Sequence, residues 1–362
     1  MKVAIVYDRV NKWGGAERVL IALHKMFPDA PLYTSVYDPK GAPWAKVFPE
    51  IKTSFLQKIP FLRNKHELLP YLMPLAFESF NFDGYDLVIS VTSEAAKGII
   101  TRPGTRHVCY MLTPTRYLWS GYKDYFKNIF LRVLSYPVVS YLRSWDKVAA
   151  QRPDKIISIS SVVKQRVKKY YNRESDVIFP PITLKTTTPN RKITKKGNYY
   201  LVVSRLVPYK KVDLAIKAFN KLKYPLIIIG KGSEEERLRD LSTSKSTKFA
   251  GHVSDKELSG YYSNCKALIF PQDEDFGLTA VEAQSFGKPV IAFRGGGALD
   301  MVIENKTGVF FTEQVWQSLH EAVERFEKLS FDSKIIVRNA GRFSEKVFRT
   351  KFLELLKSTV RT

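Results

Sequence analysis

Two cysteines are too few for a disulfide framework, and Cys109 and Cys265 each sit in an apolar stretch without metal-ligand spacing. They read as buried thiols in a reducing compartment. The five histidines show no ligand spacing either, so no metal and no resident cofactor is expected. There is no run of about 18 uncharged apolar residues, so no membrane-spanning helix is expected. The first strand opens at Val3 with no apolar leader before it, which points to a cytoplasmic protein. Acid is scarce as well: 35 Asp+Glu stand against 58 Lys+Arg, a formal net charge of +23. Residues 1–190 hold 28 Lys+Arg against 15 Asp+Glu, and residues 191–362 hold 30 against 20. No basic tail accounts for the excess, so it belongs to folded surfaces. Such a field favours anionic partners: a lipid head group, a nucleoside diphosphate or a nucleic acid. For nucleic acid there is no RNP-like aromatic strand and no zinc knuckle.

What the chain does hold is alternation. At 362 residues two domains are the default. Residues 3–7 (VAIVY), 87–91 (LVISV), 107–111 (HVCYM), 155–159 (KIISI) and 176–179 (DVIF) are short apolar runs. Amphipathic stretches separate them, as where Ala16, Val19, Leu20 and Leu23 recur at helical spacing. Ser160-Ser161 is placed to cap a basic helix through Tyr170. Residues 181–198 are rich in Pro, Thr and Lys and have no period. The alternation then restarts, with strands expected over 199–204, 226–229, 248–251, 267–270 and 290–293. Strand–helix alternation gives right-handed crossovers and parallel sheets. The expected fold class is α/β, with two Rossmann-like doubly wound parallel-sheet domains. They span 1–182 and 199–343, joined by a linker at 183–198. A helix within 344–362 either completes the second domain or crosses back to the first. Open α/β sheets bind ligands outside the carboxyl ends of their strands. A cleft where the two domains face each other is therefore the expected site.

Several motifs fall at those strand ends. Trp13-Gly14-Gly15-Ala16-Glu17 leads from the first strand into the first helix. Gly14 and Gly15 let a backbone approach a ligand, and a helix start draws phosphate; a plain tight turn is the alternative. Arg205 and Lys210 share the loop SRLVPYKK. Two fixed cations suit a diphosphate leaving group, whose charge grows as its bond to a sugar breaks; a solvated basic loop is the alternative. Gly230, in GKGSE, either faces a nucleotide base or serves a helix-capping turn. Gly295-Gly296-Gly297 permits close backbone approach. Most informative is EDFGLTAVEAQ, where Glu274 and Glu282 flank the turn Phe276-Gly277-Leu278 into a helix. The helix start attracts phosphate, and carboxylates beside it can hold a sugar's hydroxyls. Two surface carboxylates steadying a helix dipole are the plainer reading. The placement of Arg205, Lys210 and the Gly14-Gly15 turn at strand ends favours a sugar-nucleotide pocket.

The segments SRLVPYKKVDLAIKAFNKL, IIIGKGSEEERL and FAGHVSDKELSGYYSNCKALIFPQDEDFGLTAVEAQSFGKPVIAFRGGGALDMV resemble the retaining glycosyltransferases of the GT-B fold. That large family includes bacterial mannosyltransferases. VAIVYDRVNKWGGAERVL and YMLTPTRYLW are similar to the same family. The resemblance implies that Glu274 holds the donor sugar's hydroxyls and Glu282 the nucleotide ribose, while Arg205 and Lys210 neutralise the diphosphate. Gly15 and the backbone N–H groups of Phe276, Gly277 and Leu278 would border phosphate and sugar. It also implies metal-independent, retaining transfer from a GDP- or UDP-sugar, with GDP-mannose preferred. The acceptor would be lipid-linked or an oligosaccharide, in polysaccharide or O-antigen assembly at the inner face of the cell membrane. One departure stands out. Relatives carry a histidine just before the Thr-Pro of TPxRYLW, and here that position is Leu112. His107, five residues earlier, faces the other side of a period-two strand. If that histidine normally touches the donor sugar, the alternative to mannose is a donor sugar lacking its 6-hydroxyl.

On the acceptor side, residues 55–77 mix Lys58, Arg63 and Lys65 with aromatic and leucine residues, an expected contact with anionic membrane. Ordinary packing is the alternative. Arg116, Tyr117, Trp119 and Tyr122 are expected on a loop facing the acceptor, and Arg152, Lys155, Lys164, Arg166, Lys168 and Lys169 add positive charge nearby. Two readings from other classes stand beside this one: a basic nucleic-acid-binding protein, and a catalytically silent nucleotide-sugar-binding scaffold.

Overall fold

In the computed structural model, which describes residues 1–59, 69–126, 128–182 and 197–358, the strand Val3–Tyr7 (β1) is buried along its whole length. A strand covered by helices on both faces needs apolar residues at successive positions, not alternate ones. This is why the runs stand out in the sequence. The chain divides into two compact units, Met1–Pro181 with Phe348–Thr362, and Ile182–Val347.

The first unit holds a seven-stranded parallel sheet. After β1 come β2 (Leu32–Thr34), β3 (Ile51–Thr53), β4 (Leu87–Thr92), β5 (Arg106–Met111), β6 (Lys155–Ser158) and β7 (Asp176–Val177). Their order across the sheet is β3-β2-β1-β4-β5-β6-β7. The second unit holds six parallel strands, β8 (Tyr200–Val203), β9 (Leu226–Ile229), β10 (Thr247–Gly251), β11 (Ala267–Phe270), β12 (Val290–Phe293) and β13 (Gly308–Phe311). Their order is β10-β9-β8-β11-β12-β13. Strand order reverses between β1 and β4 in one sheet and between β8 and β11 in the other. A crevice opens at such a reversal, where successive connections leave for opposite faces.

The helix Glu345–Ser358 places Phe348, Phe352, Leu355 and Leu356 in the core of the first unit with Ile5 and Tyr110. The rings of Phe348 and Tyr110 pack edge to face, 5.9 Å apart. The strand expected over 176–179 is only Asp176–Val177. Except for residues 197 and 198, the linker expected at 183–198 lies outside the described residues, as do Arg63 and Lys65. Of the expected membrane segment 55–77, Leu56, Met73, Ala76 and Phe77 point into the first unit's core. Packing thus claims the end of that segment, where apolar residues recur at helical spacing over the helix Met73–Glu78; residues 60–68 lie outside the described residues.

His107 on β5 is fully buried, with Nε2 2.7 Å from Ser90 Oγ. Its Nδ1 has no partner among the described residues. Burial, reinforced by Arg152 and Arg173, pushes its pKa down to about 3. The unfolded chain takes up that proton near pH 6.5, whereas the folded chain resists it. Stability is therefore lost as pH falls from about 6.5 toward 3, on the order of 2–3 kcal/mol by pH 4.5. Glu17 and Glu94, raised by burial, act in the opposite sense, so the test compares slopes. Urea unfolding at pH 7 and pH 4.5 should show a smaller acid loss in His107→Gln than in wild type. Equal losses would contradict the assignment.

Candidate active site

The second unit's site begins where β8 ends. Pro208–Lys210 forms a single 3-10 turn, with the proline ring presetting its first φ. Lys211 then takes a left-handed φ of 53°, which costs a non-glycine residue roughly 1 kcal/mol, and the helix Val212–Leu222 follows. This sharp corner sends neighbouring side chains to different environments. Lys210 is 9% exposed, whereas Arg205 and Tyr209 are exposed. Lys210 Nζ forms an ion pair with Glu274 Oε1 and lies 5.2 Å from the centre of the Tyr209 ring. Arg205 Nη2 donates to Tyr209 Oη at 2.5 Å. Arg205 and Lys210 are therefore linked through Tyr209, and Lys210 meets the first carboxylate directly.

Glu274 arrives from the end of β11, the strand paired with β8 through Ala267↔Tyr200 and Leu268↔Leu201. The two loops thus leave the sheet side by side at its reversal point. Gln272, buried, reaches Glu274 Oε2 at 3.4 Å. The Glu274 carbonyl accepts the Gly297 N–H at 2.7 Å. A Cβ on Gly296, whose φ is 54°, would strike that same carbonyl, and one on Gly297 would lie 2.5 Å from Phe276 Cα. The close approach anticipated for the triple glycine is made to the protein's own chain: it clasps the backbone that carries Glu274.

Phe276 is buried against Phe343, ring centres 5.7 Å apart. The next turn leads into the helix Leu278–Ser285, and no side chain caps its start at Gly277. The helix Asp255–Asn264, by contrast, is closed by a capping box of Ser254 and Glu257. First-turn amides of a helix have no intrahelical acceptor and carry the positive end of its dipole. The Leu278–Ser285 helix therefore presents an anion-attracting end that begins four residues beyond Glu274. Glu282, half-buried one turn inside, accepts the Tyr262 hydroxyl at 2.9 Å. The buried pair Gln284 and Asn339 (2.6 Å), both donating to the Met301 carbonyl, fixes the helix from behind. Gly230 has a φ of 133°, and a Cβ there would run into the Ser204 carbonyl. Its turn braces the Arg205 loop through Leu206 N–H to Lys231 O (2.9 Å) and Glu234 N–H to Leu206 O (3.0 Å).

Gly14 and Gly15 lie in the first unit, at the start of the helix Gly15–Met26. Glu17 is buried there, accepts the Tyr7 hydroxyl at 2.9 Å and bonds back to the Gly14 backbone. It is the glutamate half of a capping box. Burial raises its pKa. At the reversal of this sheet stands Asp8, which sequence reasoning passed over. Its carboxylate accepts Thr92 Oγ1 (2.9 Å) and the amides of Ser93 (2.6 Å), Ala95 (2.9 Å) and Ala96 (2.8 Å). Arg9 pairs with Glu94 at 2.7 Å. Tyr117 and Trp119 were expected to face an acceptor. Their polar atoms instead turn inward, Tyr117 Oη to Glu94 (3.0 Å) and Trp119 Nε1 to Asp146 (2.7 Å), because these buried carboxylates need donors. Tyr122 opens a short helix, Tyr122–Tyr125. Leu112 is part of the apolar core with Tyr110 and Ile157. Cys109 and Cys265 are buried and free, each thiol pushed up to about 12 by burial, so both are inert. Among the described residues no group of His, Cys, Asp or Glu is arranged to hold a metal.

Residues 185–343 match the model of the family "Glycosyl transferases group 1". An uncharacterized glycosyltransferase of Methanocaldococcus jannaschii is 27% identical over 211 residues, 56% of this chain and 58% of that one. The O-antigen chain mannosyltransferase RfbU of Salmonella typhimurium is 30% identical over 161 residues, 42% of this chain and 45% of that one. The chain thus spans about half the length of the curated relatives it matches. In structure it is similar to Anabaena HepE in complex with UDP, with a TM-score of 0.71 covering 99% of this chain and 100% of that one; at 20% identity this bears on the fold. Residues 185–343 are thus similar to the group 1 glycosyltransferases, and the fold around them is the two-sheet GT-B fold.

Proposed function

We propose that the protein is a retaining, metal-independent glycosyltransferase that moves a sugar, mannose from GDP-mannose, to a lipid-linked or saccharide acceptor on the cytoplasmic face of a membrane. The observation that carries the reading is the meeting of Lys210 and Glu274 at the reversal of the second sheet, next to a helix start that no side chain caps. A nucleoside diphosphate placed there puts its anionic oxygens against Lys210, Arg205 and the first-turn amides. Lys210 exchanges its carboxylate partner for the diphosphate, and Glu274 is released to accept hydrogen bonds from the sugar's hydroxyls. Glu282 holds the ribose. The acceptor hydroxyl attacks the anomeric carbon from the face the diphosphate leaves. The bond between that carbon and the phosphate oxygen breaks, and a phosphate oxygen takes the acceptor's proton. Configuration is kept, and fixed cations do the neutralising elsewhere done by a metal. Mannose is favoured by the similarity to a named mannosyltransferase, 30% identical over 161 residues.

A thermal-shift panel of GDP, UDP, ADP and TDP tests the donor class, since a specific ligand stabilises in proportion to its affinity. GDP is the expected stabiliser; a response to UDP alone would reassign the donor. Glu282→Ala should weaken that nucleotide's binding by about 10- to 100-fold, the loss of a hydrogen bond to a charged group. At saturating donor, kcat should stay within a few-fold. Unchanged nucleotide affinity would remove Glu282 from the site.

A further inference from the structure

We propose that the outward face of the helix Ile129–Ala149 is the surface by which the protein lies on an anionic lipid bilayer. The helix runs 21 residues, and Asn128 caps it by accepting the Phe130 N–H at 2.9 Å. One side is committed to the first unit, where Val139, Leu142, Asp146 and Ala149 are buried. The opposite side is apolar and open. Ile129, Phe130, Val133, Leu134 and Tyr141 are between 54% and 79% exposed, with Pro137, also exposed, among them. These positions form one stripe at the 3.6-residue period. Single exposed apolar side chains are ordinary on a protein surface, whereas a contiguous stripe marks an interaction site.

Charge decides the occupant. The stripe shows no carboxylate of its own, since Asp146, the sole acid of this helix, is buried against Lys97. Arg132, Arg143 and Lys147 follow one edge of the stripe, and Lys123 precedes it. Neighbouring groups hold two of these cations in place. Arg132 Nε donates to the Phe126 carbonyl at 2.5 Å, and the Arg143 guanidinium lies 4.6 Å from the Tyr122 ring centre. An apolar stripe edged by cations is the chemistry of a helix lying in the head-group plane of an anionic membrane. It does not span: among the described residues no helix is long and apolar enough to cross. Pro137 has no N–H and leaves a carbonyl one turn back without its helical donor, a gap that interfacial water can fill. A second copy is disfavoured as occupant, because pairing two such stripes brings cationic edges together on chains of +23 each.

This surface deepens the glycosyltransfer reading, since it would bring the enzyme to a lipid-linked acceptor, but its test is separate. Wild type and Phe130→Ser/Leu134→Ser are sedimented with phosphatidylglycerol-containing vesicles and with pure phosphatidylcholine vesicles. Wild type should pellet with the anionic vesicles and less with the neutral ones. The double variant should lose about tenfold or more of that partitioning, given the apolar area removed, with its melting temperature unchanged. The proposal is overturned if wild type stays in the supernatant, or if the variant pellets equally well. It is also overturned if sedimentation velocity shows a dimer that the variant abolishes. Vesicle binding without sugar transfer would remove the enzymatic reading and leave this surface standing. Transfer to a water-soluble acceptor without vesicle binding would do the reverse.

Discussion

Lys210→Ala is expected to lower kcat for sugar transfer by about 10²–10³-fold, the range for losing one preorganised electrostatic donor. The size of the effect follows from placement. Lys210 is held by its turn, nearly buried, and fixed beside the β8–β11 reversal by Glu274, so once the donor has replaced that partner little reorganisation is needed as leaving-group charge develops. Its removal also leaves the half-buried Glu274 facing the diphosphate without its partner cation, adding repulsion to lost attraction. Lys210→Arg should not restore the rate, because a bulkier planar guanidinium does not fit a site where the ammonium is enclosed. Arg205 is exposed, and its charge is more screened. Arg205→Ala should therefore cost less than Lys210→Ala, and its penalty should shrink with added salt. Steady-state kinetics at saturating donor measure both losses. A Lys210→Ala enzyme within threefold of wild type would end the diphosphate assignment.

Lys97→Ala should destabilise the first unit by about 3–5 kcal/mol, the cost of leaving a buried charge without its partner. Lys97 and Asp146 are 0% and 1% exposed and 2.5 Å apart. Asp146 also accepts from Thr115 (2.9 Å), Trp119 (2.7 Å) and Tyr171 (2.6 Å), so one carboxylate ties together β6's following helix, the TPTRYLW segment and the helix Ile129–Ala149. The hydroxyl and indole donors soften the loss without replacing a full charge. Lys97→Met/Asp146→Leu should recover part of the stability, since a buried pair is worth less than its rupture costs. Urea unfolding followed by tryptophan fluorescence measures both. A single variant losing under 1 kcal/mol would show that the carboxylate is already satisfied by its other donors.

The sheets were legible because their strands are buried on both faces, so runs such as VAIVY, LVISV and ALIF announce themselves. The strands β2, β3 and β13 were not: β2 and β3 have only 3 residues each, and β13, GVFF, opens on a glycine. Glu274 and Lys210 could each be placed at a strand end from sequence. Their contact could not, because it depends on β8 lying beside β11, and strand order is a property of the whole sheet. Nor did sequence rank Lys210 above Arg205. That difference comes from the left-handed corner at Lys211, a conformation lysine does not advertise. Asp8, Glu94 and Asp146 escaped notice for a simpler reason: a buried carboxylate and a surface one are the same letter until its donors are seen. The helix Ile129–Ala149 was missed because apolar residues lie on both its core side and its exposed side, which leaves no polar face to mark it.

Asp8 has a consequence of its own. Clustered amides at a sheet crossover commonly serve as a socket for a visiting phosphate. In the first unit that socket is occupied from within, since a side chain of the chain itself supplies the negative charge. The two sheets differ at their reversals: one has answered its own positive end with Asp8, the other holds Lys210 paired with Glu274. Under the proposed function the donor's diphosphate meets a lysine in the second unit, whereas the corresponding amides of the first unit are already answered by Asp8.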